Sequence, residues 1–64
     1  MPVITIQMHK VEQSMKTNLI RNLTAAAVET TKIPASAYTV IIQEVEDGNI
    51  GLGGKTLVEV KASR

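Results

Sequence analysis

The sequence predicts an α+β fold built on a single βαβ unit, forming one domain over residues 1-64. Three observations carry that prediction: a strictly alternating run near the N-terminus, a long stretch of helical period behind it, and a second β-branched run after a proline.

In the first run, Ile4, Ile6 and Met8 face one way, and Val3, Thr5, Gln7 and His9 face the other. That is the period of a strand with one strongly apolar face. From about Glu12 to Thr31 the period changes. Met15, Leu19, Leu23 and Ala27 recur at every fourth position, and Ile20 and Ala26 widen the stripe. Lys16, Asn18, Arg21, Asn22 and Glu29 lie off it, as in an amphipathic helix. Ala25, Ala26 and Ala27 are small enough to let that helix approach a sheet closely. Its start is weakly marked, because Ser14 has no acid three residues later to complete a capping box. Its end is marked by Pro34, which disfavours a helical conformation at Ile33.

Pro34 to Ala37 reads as a turn and Tyr38 to Val45 as the second strand. Val40-Ile41-Ile42 are apolar in succession, which predicts cover on both faces, as for a central strand of a parallel pair. A right-handed crossover is expected. Glu46 to Asn49 is a turn. Ile50 to Gly54 alternates apolar residues with glycine, and Lys55 to Lys61 suits a short strand or a helical turn. Ala62-Ser63-Arg64 is expected to fray.

A chain of 64 residues is marginal alone, since such a domain buries only about 60% of the surface its unfolded form exposes. The usual remedies are disulfides, metals or oligomerisation. There is no cysteine and only one histidine, His9, so neither disulfides nor an imidazole metal site is expected, nor any cofactor. Oligomerisation remains. One helix on a two-stranded parallel sheet leaves apolar surface bare. Two copies joined edge to edge make a four-stranded sheet, and the remaining face with the glycine-rich tail can join such dimers into a ring.

Net charge is +1, with five Lys and two Arg spread along the chain, which leaves no basic footprint for nucleic acid or anionic lipid. No apolar run approaches the roughly 20 residues that span a bilayer, and the N-terminus has no signal pattern. No nucleic acid and no membrane are therefore expected as partners, and the cytoplasm is the expected location.

Gly48 to Thr56 superficially suggests a phosphate loop. Five residues separate Gly48 from Gly54, where the pattern requires four, and no βαβ unit follows. A structural hairpin is the reading preferred, with backbone donors beside a pocket as the other. His9 reads as a solvated strand end. Glu44, Glu46 and Asp47 read as a soluble acidic turn, and Tyr38 as half-buried with its hydroxyl at the surface.

Pro2 stands apart. A small residue after Met1 favours methionine removal, which would turn Pro2 into a free secondary amine at the tip of a strand. Val3, Ile33, Ile50 and Leu52 are candidates for apolar surroundings. Burial penalises the charged form and lowers an amine pKa towards neutrality, where a general base for proton transfer at carbon works best. If Met1 stays, Pro2 is an ordinary amide and the base is lost.

Met1-Pro2 leading into a strand, Leu19-Ile20-Arg21, Pro34 ahead of Val40-Ile41-Ile42, Glu44, and the block Gly48 to Gly54 together resemble the 4-oxalocrotonate tautomerase family of the tautomerase superfamily, over essentially the whole chain. The resemblance implies a βαβ unit with a C-terminal hairpin, assembling through intersubunit sheets, usually as a homohexamer of three dimers. It implies an isomerase, a keto–enol tautomerase acting on a small enol or 2-hydroxydienoate, with Pro2 as the catalytic general base. Relatives acting on dicarboxylates carry two arginines and a hairpin aromatic residue. Here the first arginine region reads His9-Lys10-Val11-Glu12, one residue short, the second position is Thr39, and the aromatic is Ile50. Lys10, Thr39 and Ile50 are thus the candidate substrate-binding residues. Lys10 can replace an arginine only as a point charge without the bidentate fork.

Weak turnover of the usual dicarboxylate is expected. A less charged enol of phenylenolpyruvate type, a hetero-oligomer whose second chain supplies arginines, and a relic of the fold are the explanations weighed. The competing function classes are a non-catalytic or partner-dependent subunit and a ribbon-helix-helix DNA binder. The strand over Thr39 to Val45 and the missing basic footprint argue against the latter.

Overall fold

Strand β1 (Val3–Met8), helix α1 (Gln13–Thr31) and strand β2 (Thr39–Glu44) form the βαβ unit. A hairpin of β3 (Gly51–Leu52) and β4 (Lys55–Thr56) follows, then a short helix α2 (Leu57–Ala62). The computed structural model describes residues 1–62.

The two long strands run parallel in a continuous register from Val3 beside Thr39 to Met8 beside Glu44. Alternation in the sequence becomes alternation of burial: Ile4, Ile6 and Met8 are half-buried, and Val3, Thr5 and Gln7 are exposed. On the open face Gln7 donates through Nε2 to Gln43 Oε1 at 2.8 Å, closing a cross-strand pair.

The expected burial of β2 on both faces is not met within one chain. Val40 and Ile42 are half-buried, but Ile41 is 42% exposed. Helix α1 covers only one face of the two-stranded sheet.

Helix α1 begins one residue after Glu12, whose side chain does not cap it. It ends where Lys32 adopts a left-handed conformation (φ 64°) and its N–H donates to Val28 O at 2.8 Å. Pro34 therefore acts at the distance expected. The inward stripe differs from the four-residue pattern. Leu19, Leu23 and Ala27 are half-buried as expected, together with Lys16, Thr24 and Val28, while Met15 is 56% and Ile20 39% exposed. A spacing of four drifts by about 40° per step against a helix of 3.6 residues per turn, so a strict fourfold series cannot stay on one face.

The C-terminal unit is held by local chemistry. Gly53 (φ 63°) and Gly54 (φ 86°) supply the two positive-φ positions of a tight two-residue hairpin. Thr56 and Glu59 form a reciprocal capping box on α2: the Glu59 N–H donates to Thr56 Oγ1 and the Thr56 N–H to Glu59 Oε1, both at 3.2 Å. Lys61 Nζ pairs with Asp47 Oδ2 at 2.8 Å, tying α2 to the 3-10 turn Asp47–Asn49. Lys55 to Ala62 is thus both a short strand and a helix. Of the expected frayed end, Ala62 closes α2, and Ser63 and Arg64 lie outside the described residues. Gly54→Val is expected to destabilise the fold by about 1–2 kcal/mol through the left-handed backbone penalty. Gly48→Ala, with open space around the added Cβ and no positive φ, should be nearly neutral; urea midpoints of the two variants test the difference.

Among the described residues, none is fully buried. The radius of gyration is 15.3 Å, against about 11 Å for a compact domain of this length. The chain measures 45 × 24 × 16 Å. Large apolar side chains stand open along it, including Leu52 at 62%, Val3 at 53% and Val58 at 53% exposure. Among the described residues, no helix is long and apolar enough to cross a membrane.

Candidate functional site

Pro2 sits directly before β1, half-buried, and its carbonyl accepts the Thr39 N–H at 3.0 Å. That bond extends the parallel ladder by one step beyond the Val3–Thr39 pair. Pro2 and Thr39 are therefore neighbours, both set by sheet register and not by a loose tail. Met1, ahead of them, is 94% exposed. The helix end is tied to this region by Tyr38, whose hydroxyl hydrogen-bonds Thr31 Oγ1 and donates to Ala27 O at 3.4 Å. Tyr38 is half-buried as expected, but its hydroxyl is spent on the helix instead of facing solvent.

Lys10 and Ile50 lie at the other end of the ribbon. Ile50 lines a cleft of about 330 Å³ with Gln7, Met8, Val45 and Asn49. Lys10 and His9 border a second, of about 450 Å³, with Val45, Asp47, Val58 and Lys61 among its walls. A six-residue strand separates these clefts from Pro2, a span of about 20 Å at 3.3 Å per residue. Within one chain, then, the fold brings Pro2 to Thr39 and does not bring either to Lys10 or Ile50. Among the described residues, no group of three His, Asp or Glu side chains converges as a metal cluster.

Glu44, expected as part of a soluble acidic turn, is instead the last residue of β2, and its carboxylate is engaged. Its Oε2 accepts the Val11 N–H at 3.1 Å and lies 3.3 Å from Lys16 Nζ. The Val11 hydrogen bond, with Lys16 and more remotely Lys10, holds the Glu44 carboxyl below its ordinary range, against a smaller opposing effect of desolvation. One signal could have found it. Helix α1 has no acid in its first turn, and an acid at the C-terminal end of a parallel strand lies beside the start of the crossover helix, where negative charge is favoured.

Comparison with known proteins places this arrangement. The family model described as tautomerase enzyme matches residues 2–59. Among solved structures, TomN, a 4-oxalocrotonate tautomerase homologue in the tomaymycin biosynthetic pathway, is 31% identical, with 95% of each chain covered and a TM-score of 0.92. DmpI from Archaeoglobus fulgidus is 32% identical, covering 89% of this chain and 98% of its own, with a TM-score of 0.83. DmpI from Helicobacter pylori is 27% identical, covering 91% and 98%, with a TM-score of 0.84. No curated protein matches the chain. With its family model spanning nearly the whole sequence and its βαβ unit and hairpin superposing on these structures, the chain belongs to the tautomerase enzyme family.

Proposed function

We propose that the protein is a keto–enol tautomerase whose general base is the secondary amine of Pro2, exposed by removal of Met1. The observation that carries this reading is the Thr39 N–H bond to the Pro2 carbonyl, which fixes the amine at the head of a sheet strand. Met1 is almost wholly exposed, so its removal strips away little packing. The neutral amine takes a proton from the enol, and the resulting ammonium returns one to carbon, so the net change is isomerisation without a cofactor.

The substrate is a small enol or 2-hydroxydienoate of low charge. Thr39, beside Pro2, carries a hydroxyl and no cation, so it can hydrogen-bond an enolate oxygen but cannot clamp a carboxylate. Lys10 and Ile50, about 20 Å away in the same chain, reach a Pro2 only from neighbouring copies. The proposed function therefore requires a homo-oligomer; the hexamer arranged as a trimer of dimers is what the family resemblance implies, and the cytoplasm is the expected location. In the assembly Lys10 supplies a point charge to the substrate and Ile50 keeps water out.

The same separation favours a second reading, a partner-dependent subunit whose missing cation comes from a different chain. Intact mass of the purified protein, with turnover of phenylenolpyruvate and of the dicarboxylate 2-hydroxymuconate, tests the proposal. Loss of one methionine and preference for the monocarboxylate are expected. A retained Met1 in the active protein sinks the mechanism, and turnover only after mixing with a second tautomerase chain supports the other reading.

A further inference from the structure

We infer that Glu44 is a positioning residue that anchors the loop between β1 and α1 and so sets where Lys10 stands. The inference rests on the proposed function, in which Lys10 meets the substrate.

The loop has little local support. Its last residue, Glu12, is extended (φ −64°, ψ 152°) and forms no side-chain cap, and the first turn of α1 carries no acid. Lys10 itself is exposed on this loop, between two clefts that both include His9 and Lys10 in their walls. An exposed lysine on a poorly braced loop spreads its charge over many positions, because its four-carbon stem is flexible.

Glu44 supplies the brace from across the sheet. It is the last residue of β2, paired in register with Met8. The ladder continues past it, since the Val45 N–H donates to Met8 O at 2.7 Å. The backbone that carries the carboxylate is therefore held on both sides. From that platform Oε2 takes the Val11 N–H, one residue beyond Lys10, and the Lys16 ammonium from the first turns of α1. One oxygen thus ties together the end of the sheet, the loop and the helix. A hydrogen bond from a backbone N–H to a charged acceptor is among the stronger kinds. The Lys16–Glu44 pair is partly exposed and contributes less by itself. The Val11 contact is accordingly the part that fixes the loop.

The test uses the full-length protein in its native assembly. Amide exchange at Val11 reads the anchor, and steady-state kinetics with phenylenolpyruvate read its consequence. Glu44→Ala is expected to raise Val11 exchange about tenfold, as loss of one local hydrogen-bonded closure should, while the ladder amides of Ile6 and Ile41 stay protected. Glu44→Gln keeps an acceptor oxygen and should restore much of the protection. Glu44→Ala should raise KM roughly threefold to tenfold with kcat changed less than about twofold, since only ground-state and transition-state binding shared by the loop is lost. The double variant Lys10→Ala/Glu44→Ala should bind no worse than Lys10→Ala alone, because one residue acts through the other.

Unchanged Val11 exchange in Glu44→Ala overturns the anchor. Faster exchange with KM unaltered, or full additivity in the double variant, overturns the positioning of Lys10. Absence of turnover in the unaltered protein counts against the proline reading and leaves the exchange measurement to decide the anchor.

Discussion

A chain forced to keep a residue ahead of Pro2 is expected to convert enol to keto with kcat about 10²–10⁴-fold below that of the processed protein, the usual contribution of a positioned general base. The physical reason is simple. An amide nitrogen has no basic lone pair, and the tether from Thr39 to the Pro2 carbonyl keeps the strand head in place whether or not Met1 is present. Structure is held constant while the base is removed. Pro2→Ala should fall between the two. After processing it leaves a primary amine in the same place, a group that ordinarily titrates at about 7.7–8.0, but without the ring that fixes φ and stiffens the strand head. Stopped-flow ketonisation of phenylenolpyruvate, with intact mass of each sample, checks both. Undiminished kcat in the blocked chain would rule out Pro2 as the base.

Leu52→Asp is expected to lower the melting temperature sharply and to convert the protein from an oligomer to small, partly unfolded species. Leu52 is 62% exposed in one chain. If the chain were stable alone, a polar substitution at so open a position should change stability by no more than about 0.5 kcal/mol. If the hairpin is covered by another copy, the same change buries an unpaired carboxylate at an apolar contact, which is strongly destabilising. The variant therefore separates a monomer from an assembly. Sedimentation velocity and thermal melts at several protein concentrations supply the readout. A melting temperature that rises with concentration in the unaltered protein belongs to the same expectation, because association that binds only the folded chain stabilises it by mass action. A neutral Leu52→Asp with a concentration-independent melt would show that the chain stands alone.

Structure that is set locally is legible in this sequence. The alternation of Val3 to Met8 corresponds to a half-buried strand, and the helix stops just before Pro34. Gly53 and Gly54 make the hairpin turn that the glycine block implies, because both sit at positive φ. The helical stripe is less legible. Met15 is exposed, and Lys16, Thr24 and Val28 take places on the inner side, because the buried line follows the helix's own pitch and not a spacing of four; Ile20, which lies on that line one turn from Lys16 and Thr24, is 39% exposed for want of cover within one chain. Ile41 departs from expectation for a different reason: an apolar run says that a strand will be covered, but not which molecule covers it.

The βαβ order, the hairpin, the family resemblance and Pro2 as the one residue able to act as an N-terminal base can all be read from the residues without coordinates. Each follows from local periodicity, turn chemistry or a short motif. Which candidates meet is a matter of tertiary structure. Parallel register sets Thr39 beside Pro2 and sends Lys10 and Ile50 to the opposite end of the sheet. It also brings Glu44 to Val11, 33 residues apart in the chain. Such pairings depend on how far each strand runs before it turns, and no local pattern of residues carries that length.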